Sequence, residues 1–401
     1  MRDTEKHGRS GPSESRAIYR PPCPHYPHCV GCPLIDVPYP EQLVHKRATV
    51  LESFARYPSL MVTEVPPVAP ASERLGYRTR VKLVVRRNRD QVVLGLYIPN
   101  SHRVIDITSC PVHPWAVNQA AQYLKKKILE LGIRPYDERD DSGDLRYVDF
   151  RFSVARQELS VTLVTRHSSF PAGSQLARAL LKRFPFVTGV NQNVNEARGN
   201  VIWGPHFRTL AGRETLMDRI GDVKLVFPPG VFAQANPATA RKLYETVCHF
   251  AALTGRETVL DLYCGVGPIS LYLASSARQV WSVDDSELAV NTAKQNARRN
   301  GRGNCRFCAG DVASMATKLK NDVGHIDLVV VNPPRKGVQP AAMKAIVEFG
   351  APKLIYVSCE PTSLARDLDR LITAGYRIER LALFDMFPQT EQVESVVLLT
   401  N

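Results

Sequence analysis

The chain has 401 residues, of which 44% are hydrophobic and 23% are charged, and its formal net charge is +13. This composition excludes a wholly disordered chain, and a length beyond about 250–300 residues favours two or more domains. No apolar run reaches the roughly 18–20 residues that span a bilayer, and residues 1–16 lack the apolar core of a secretory signal. We therefore predict a cytoplasmic protein without a membrane segment.

The basic residues are unevenly distributed along the chain. Residues 1–230 carry 33 Lys and Arg against 22 Asp and Glu, whereas residues 231–401 carry 19 against 17. A basic half is typical of proteins that bind nucleic acid, although it also serves solubility or an acidic partner. We expect the first half to contact nucleic acid and the second half to be an ordinary enzyme domain.

The first half is predicted to contain a disordered tail and a mixed α+β region. Residues 1–22 are rich in charge, Ser, Gly and Pro, which is typical of disorder. The predicted helices of residues 23–230 lie at 41–56 and 115–132, and the predicted strands at 78–87, 91–98, 145–155, 159–166 and 187–194. In the first of these strands Arg78, Arg80 and Lys82 alternate with apolar residues. One face should therefore be buried, and the other should offer cations to nucleic-acid phosphates; pairing of some of these arginines with local carboxylates is the alternative.

Four cysteines of this basic half predict a metal site: Cys23, Cys29, Cys32 and Cys110. A cytosolic chain keeps its thiols reduced, so clustered cysteines indicate metal binding before disulfides. Three of the four precede a proline, as in some iron–sulfur proteins. Their spacing fits a zinc ion with four thiolate ligands about as well.

From residue 231 onwards, strands and helices are predicted to alternate, which indicates a parallel α/β sheet with helices on both faces. Asn236 and Pro237 have the residue types of a helix cap and first helical position. The predicted strands lie at 258–263, 280–284, 305–309, 326–332, 353–359, 377–384 and 394–399. The last two are joined by about nine residues without a helix, which predicts a hairpin and a reversed edge of the sheet.

The segment DLYCGVG, residues 261–267, ends the first of these strands and opens a helix. Its glycines allow a sharp turn and the close approach of a ligand, and Asp284 ends the second strand, where a carboxylate can bind ribose hydroxyls. Because the full dinucleotide fingerprint is absent, the loop favours a cofactor without a diphosphate, such as S-adenosylmethionine; a purely structural turn is the alternative. Asp311, after the third strand, is either an adenine-side ligand or an ordinary helix cap.

Two further strands end in side chains suited to chemistry. Asn332 precedes two prolines, as in methyltransferases that act on exocyclic amines, but those enzymes typically have an aromatic residue where this chain has Arg335. Cys359 ends the next strand. A cysteine in that position is usually a small core residue, yet the helix that follows can lower its thiol pKa and make it a nucleophile.

Four ordered motifs give the chain a resemblance to the RNA (uracil-5-)-methyltransferases over nearly its whole length: DLYCGVG, VVVNPPRKG, YVSCEPTSLARDL and FDMFPQTEQVESVVLL. Within that family the chain most resembles the branch that methylates 23S ribosomal RNA and lacks a TRAM domain, because only 22 residues precede Cys23. The resemblance implies an α/β protein with a Rossmann-like class I methyltransferase sheet at 231–401. An iron–sulfur-containing α+β RNA-binding region is implied at 23–230.

The resemblance also implies an S-adenosylmethionine-dependent enzyme that acts as a monomer on a uridine in a single-stranded RNA loop. Cys359 matches the nucleophile that adds to C6 of uracil, and Glu394 matches the base that removes the C5 proton. The implied cofactor-binding residues are Gln234, Tyr263, Gly265, Asp284, Asp311 and Asn332. For Cys23, Cys29, Cys32 and Cys110 the resemblance favours a [4Fe-4S] cluster over zinc. Transfer RNA as substrate, a non-catalytic metal-stapled RNA-binding protein and an amino-methyltransferase are the alternatives.

Overall fold

The computed structural model describes residues 21–199 and 201–401, so nearly all of the tail predicted at 1–22 lies outside the described residues. The described chain begins with the loop that contains Cys23, Cys29 and Cys32. This loop is followed by helix α1 (Tyr39–Phe54), a short 3-10 turn (Pro58–Leu60) and the two-residue strand β1 (Val68–Ala69). The predicted helix at 41–56 is thus present, shifted by two residues.

The central part of the chain forms a seven-stranded sheet with two helices on one face. Its strands and helices are β2 (Arg80–Asn88), β3 (Gln91–Tyr97), β4 (Val104–Asp106), α2 (Trp115–Glu130), β5 (Leu145–Ser153), β6 (Glu158–Thr165), α3 (Gly173–Arg183), β7 (Val187–Val194) and β8 (His206–Gly212). The strand order is β4-β3-β2-β5-β6-β7-β8, antiparallel except for the parallel pair β6 and β7. Helix α3 makes the crossover that this parallel pair requires. Apolar side chains of α2, α3 and the inner sheet face form one core.

A hairpin of β9 (Leu216–Ile220) and β10 (Val223–Phe227) connects the central sheet to the C-terminal part. The elements of that part are α4 (Pro237–Ala251), β11 (Thr258–Leu262), α5 (Pro268–Leu273), β12 (Gln279–Asp284), α6 (Glu287–Arg299), β13 (Cys305–Ala309), α7 (Val312–Val323), β14 (Leu328–Val331), α8 (Pro340–Phe349), β15 (Lys353–Ser358), α9 (Pro361–Thr373), β16 (Arg377–Phe384) and β17 (Glu394–Thr400). As predicted, Asn236 caps α4 by accepting a hydrogen bond from the Thr239 N–H at 3.2 Å.

The C-terminal sheet has eight strands in the order β1-β16-β17-β15-β14-β11-β12-β13. Strands β11 and β14 are buried at every position, which is typical of parallel strands that are covered by helices on both faces. The predicted hairpin of the last two strands is confirmed, but the reversed strand is not at the edge. β17 lies between β15 and β16 and runs antiparallel to both.

The N-terminal segment completes this sheet rather than the central one. β1 pairs in parallel with β16, and Val50 and Phe54 of α1 are buried in the same core as β14 and β15. The predicted boundary at residue 230 therefore does not separate the two cores cleanly, since residues 39–69 pack with residues 231–401. Among the described residues, no helix is both long and apolar enough to cross a membrane.

Candidate active site

Cys359 and Glu394 occupy opposed positions at one end of the C-terminal sheet. β15 and β17 pair antiparallel with Ser358 opposite Ser395, so Cys359 and Glu394 are the next two residues to face each other. Cys359 follows β15 directly, two residues before the start of α9. The thiol is half-buried, whereas Glu394 is only 4% exposed. The fold thereby brings together a thiol and a carboxyl group that are 35 residues apart in the sequence.

Burial controls the protonation of both groups. It raises the pKa of Glu394 to about 8, and the nearby Arg335 guanidinium opposes that rise. Burial, together with the Glu394 charge, raises the pKa of the Cys359 thiol to about 11, again against the effect of Arg335. A backbone N–H lowers the pKa of this thiol, as the sequence allowed, but the net shift is upward. Desolvation of the thiolate outweighs the favourable backbone contribution.

Arg335 is the charged residue that sequence reasoning missed. It is exposed, and in the described part of the chain it makes no ion pair or hydrogen bond, so its guanidinium is available to both reactive groups. Its loop is fixed by buried Asp367, which accepts hydrogen bonds from the Val338 N–H and the Tyr356 hydroxyl, each at 2.8 Å. The available signal in the sequence was Arg335 itself, at the position after two prolines where amino-methyltransferases typically have an aromatic residue.

The glycine loop after β11 has the left-handed conformation that the motif predicts. Gly265 has a φ of +56° and Gly267 a φ of +85°, while Tyr263 adopts a φ of +63°, which is uncommon for a residue with a side chain. The Gly265 N–H donates to Asp284 at 2.8 Å, which ties the loop to the end of β12. A Cβ atom at Gly265 would meet nothing within 4 Å, so the space above the loop is open to a ligand.

Most of the predicted cofactor residues lie at the carboxyl ends of four adjacent strands. Tyr263, Asp284 and Asn332 follow or end β11, β12 and β14, and Asp311 comes two residues after β13. Gln234 is half-buried in the segment that connects β10 to α4. Open α/β sheets bind their ligands outside the carboxyl ends of the strands. These positions are therefore compatible with one binding crevice.

Asp311 caps a helix, which was the alternative interpretation of this residue from the sequence. Its carboxylate accepts hydrogen bonds from the Ser314 N–H and the Ser314 hydroxyl, both at 2.9 Å, and so caps α7. These bonds lower the pKa of the carboxyl group and keep it ionised. One carboxylate has acceptor capacity for a cap and a ligand together, so the cap and the predicted binding role are compatible.

The four N-terminal cysteines line a single cavity of about 320 Å³. Burial, mainly, raises the thiol pKa of Cys32 to about 12 and that of Cys110 to about 11, and each is raised further by the other cysteines. No group of three or more His, Cys, Asp or Glu side chains within residues 21–199 and 201–401 is arranged to hold a metal ion. The thiols thus share a cavity, but they do not surround a point that one ion would occupy.

This cysteine cavity touches the loop that leads to Glu394. Thr390, Glu391 and Gln392 of the loop line the cavity. The Leu34 N–H, two residues after Cys32, donates to the carbonyl of Gln389 at 3.0 Å. The loop between β16 and β17 is therefore in direct contact with both the cysteine cavity and the candidate active site.

The predicted cationic face of β2 is mostly covered. Arg80 is 14% exposed and pairs with Asp149 at 3.8 Å, and burial lowers the pKa of Lys82 to about 8. The Lys82 ammonium lies over the Trp203 ring, 5.1 Å from its centroid. The alternative, pairing with local carboxylates, thus applies to Arg80, and neither Arg80 nor Lys82 is a freely exposed cation.

Comparison with known proteins identifies the family. The model of the tRNA (uracil-5-)-methyltransferase family matches residues 38–401. The chain belongs to this family. The predicted membership of the RNA (uracil-5-)-methyltransferases is confirmed, and with it the prediction of an enzyme.

Two relatives and one solved structure show how far the similarity extends. An uncharacterized RNA methyltransferase of Geobacter sulfurreducens is 40% identical over 97% of this chain and 79% of its own length. A relative in Thermotoga maritima with the same description is 36% identical over 97% of this chain and 86% of its own length. The structure is that of Pyrococcus abyssi tRNA (uracil-54, C5)-methyltransferase in complex with S-adenosyl-L-homocysteine. It has a TM-score of 0.75 and 28% identity, over 93% of this chain and 86% of that one. The class I methyltransferase fold is thereby confirmed for this family member.

Proposed function

We propose that the chain transfers a methyl group to C5 of a uridine in RNA, with Cys359 as nucleophile and Glu394 as base. The opposition of these two residues across β15 and β17 carries the proposal. Neither a binding module nor an amino-methyltransferase needs a thiol and a carboxyl group paired in this way.

The chemistry requires both groups. Uracil C5 is a poor nucleophile. The half-buried Cys359 thiol first loses its proton to solvent, and the bond that then forms between its sulfur and C6 shifts the C5–C6 π electrons to C5 and the adjacent carbonyl oxygen. C5 takes the methyl group of S-adenosylmethionine as the sulfur–methyl bond of that cosubstrate breaks, which leaves S-adenosylhomocysteine. Glu394 removes the C5 proton, and the returning electron pair restores the C5–C6 double bond and expels the Cys359 thiolate. Arg335 stabilises the negative charge of the Cys359 thiolate and of the Glu394 carboxylate.

We further propose that S-adenosylmethionine binds along the carboxyl ends of β11 to β14. The sulfonium centre of this cosubstrate supplies an electrophilic methyl group. The open space above Gly265 and the carboxyl group of Asp284 are suited to it, and Gln234, Tyr263, Asp311 and Asn332 complete the predicted contacts. The S-adenosyl-L-homocysteine complex of the Pyrococcus protein supports this assignment.

The decisive experiment for the mechanism uses RNA that contains 5-fluorouridine. Fluorine cannot leave as a proton, so the enzyme should form a methylated RNA adduct that survives denaturation. Cys359→Ala should form no adduct and no 5-methyluridine while it still binds S-adenosylhomocysteine. Adduct formation or full activity in this variant would contradict the role of Cys359.

For the RNA class we propose 23S ribosomal RNA, on the resemblance of the motifs, with a single-stranded or flipped-out uridine because stacking hides C6. Transfer RNA is the second candidate, since the Pyrococcus protein acts on uracil 54 of tRNA. Mapping 5-methyluridine in rRNA and tRNA from cells with and without the gene separates the two. We propose a monomeric, cytoplasmic enzyme with an RNA-binding region within 23–230 and a methyltransferase domain at 231–401, whose sheet and core residues 39–69 complete.

We also propose that Cys23, Cys29, Cys32 and Cys110 hold a [4Fe-4S] cluster. The donor set fits, because four thiols line one partly buried cavity. A zinc ion with four thiolate ligands would use the same donor set, and the family resemblance favours the cluster over zinc. Methyl transfer needs no electron, so the cluster would fix the fold and shape the RNA surface.

A further inference from the structure

A cavity rich in cations lies at the free edge of the C-terminal sheet, away from the candidate active site. It has a volume of about 670 Å³ and is bounded by β12, β13 and the end of α6. Its charged lining residues are Lys294, Arg298, Arg302 and Arg306. The sequence from residue 288 to residue 310 contains no Asp or Glu, and none of the four cations makes an ion pair with a described residue.

Two buried hydrogen-bond donors beside this cavity lack a partner in the described structure: the Arg302 Nε and the Trp281 Nε1. Trp281 and Arg306 are register partners on β12 and β13, so both side chains emerge on the same face of the sheet. Buried donors are nearly always satisfied in folded proteins. The combination of uncompensated positive charge and unsatisfied donors indicates a site for an anion.

The cationic surface continues past the end of α6. A second cavity, of about 440 Å³, is lined by Arg156, Arg219, Lys224 and Arg299. The Asn300 side chain holds the Lys224 backbone against the end of α6, because it accepts from the Lys224 N–H at 2.9 Å and donates to the Lys224 carbonyl at 2.6 Å. The one carboxylate of the second cavity, Asp218, is engaged by the Ser153 hydroxyl at 2.6 Å.

A structural role at the helix end explains only part of this charge. Arg298 and Arg299 lie in the last turn of α6, where cations offset the helix dipole. Arg302 and Arg306 lie beyond that helix, and Lys294 lies more than one turn before its end. The helix dipole therefore does not account for the positive charges of Lys294, Arg302 and Arg306.

The cavity is too remote to serve the reacting uridine. β13 is separated from β15 by three strands, so about 19 Å lie between them at the usual strand spacing. We propose that the surface formed by Lys294, Arg298, Arg302 and Arg306 binds phosphate groups of the RNA backbone, distant from the uridine that is methylated. This inference rests on RNA as the substrate. It places phosphate contacts on the domain that its small net charge had suggested was an ordinary enzyme domain.

The test compares two triple variants of equal charge change in the full-length protein. Lys294→Gln, Arg298→Gln and Arg306→Gln together remove three exposed cations of the surface. The control combines Arg241→Gln, Lys344→Gln and Arg377→Gln, which are exposed cations already paired with carboxylates. Affinity for a 23S rRNA transcript, and for bulk tRNA in parallel, is measured between 50 and 300 mM KCl.

For the surface variant we expect at least a tenfold loss of RNA affinity at 100 mM KCl. Its slope of log affinity against log salt should be smaller by about 2, at roughly 0.7 for each of three single-strand phosphate contacts. The methylation rate at saturating RNA and the affinity for S-adenosylhomocysteine should be unchanged. Arg302→Gln alone should reduce the slope in the same direction.

An affinity and slope equal to those of the control variant on both RNAs would overturn the inference, and would leave an acidic protein as the partner of this surface. This outcome is distinct from failure of the proposed function. If the proposed function failed, the wild-type protein would bind RNA with the expected salt dependence but would form no 5-methyluridine.

Discussion

At the scale of single residues, the two candidate reactive groups are held in their neutral forms. With a pKa of about 8 for Glu394 and about 11 for Cys359, both carry their protons at pH 7 in the free protein. A buried carboxylate beside a thiolate would repel it, and neutral groups avoid that cost. Arg335 is the group that can offset charge when either one ionises. The pKa values of Cys359 and Glu394 thus depend on the position of the Arg335 guanidinium.

The dependence of kcat/KM on pH should report the raised pKa of Glu394. A base must be deprotonated to act, so its raised pKa moves the rising part of the profile upward from the usual range of a carboxyl group. Between pH 6.5 and 8 we expect kcat/KM to increase at least tenfold in total, as measured by transfer of a labelled methyl group at limiting RNA.

Arg335→Gln should shift this profile to higher pH, since loss of the guanidinium leaves both pKa values higher. Its activity should fall at least tenfold at pH 7.5 and recover in part near pH 9, whereas Arg335→Lys should be less affected. A profile that is flat from pH 6.5 to 8, or unmoved in Arg335→Gln, would refute this electrostatic account.

Glu394→Gln should separate methyl transfer from elimination. The amide cannot accept the C5 proton, so the variant should stall with Cys359 still bonded to C6. A covalent protein–RNA species on normal RNA, seen in a denaturing gel, is the expected result, and Cys359→Ala in the same background should abolish it. Wild-type turnover without an adduct would show that another group is the base.

At the scale of elements, helix α1 anchors the loop that precedes Glu394. Lys46 of α1 forms a fully buried ion pair with Asp385, and the Tyr39 hydroxyl donates to the same carboxylate at 2.8 Å. Gln42 donates to the side chain of Gln389 at 2.8 Å and accepts from its N–H at 3.0 Å. One face of the helix therefore fixes residues 385–389, in the loop that leads to β17 and Glu394.

Lys46→Met should destabilise the protein strongly. It leaves the Asp385 carboxylate buried without its cation, which typically lowers the free energy of unfolding by about 3–5 kcal/mol. Urea denaturation measures this change. Lys344→Met, which breaks an exposed pair with Glu348, should cost less than about 1 kcal/mol. The double variant Lys46→Met, Asp385→Asn should recover part of the loss in the free energy of unfolding. If Lys46→Met and Lys344→Met lowered that free energy equally, the proposed anchoring would be contradicted.

Several elements could be predicted because their local pattern was sufficient. The apolar strands that become β11 to β15, and the cap at Asn236, depend on nearby residues and occur where expected. Helix α3 and β1 were not predicted, and β1 has only two residues, whose pairing with β16 depends on contacts far away in the sequence. The alternation along β2 was recognised, but its cationic face is covered by Asp149 and Trp203, which no local pattern shows.

At the scale of the whole molecule, the cysteine cavity connects three distant parts of the chain. It joins the N-terminal cysteine loop, Cys110 next to the central sheet and the loop before Glu394. Protein purified without oxygen should therefore be brown, with about four iron and four sulfide per chain. Cys110→Ala should lose the colour and most of the iron. Stoichiometric zinc without visible absorption would show that the metal assignment is wrong.

Loss of iron should also affect catalysis at a distance, because Thr390, Glu391 and Gln392 line the same cavity. We expect iron chelation to lower the melting temperature and the methylation rate together, with little change in the affinity for S-adenosylhomocysteine. The residues proposed to bind the cofactor do not line that cavity.

The placement of β17 has a consequence for how the protein is made. The ribosome synthesises β15 and β16 before β17, yet β17 lies between them. The nascent chain must therefore hold two strands apart, each with an unpaired edge, until the third has emerged. Unpaired edges promote association with other chains. The Cys359 thiol and the Glu394 carboxyl group come together only when β17 has been inserted, so a nascent chain has no reactive site. Delayed translation of residues 377–400 should therefore increase aggregation rather than yield a partly active enzyme.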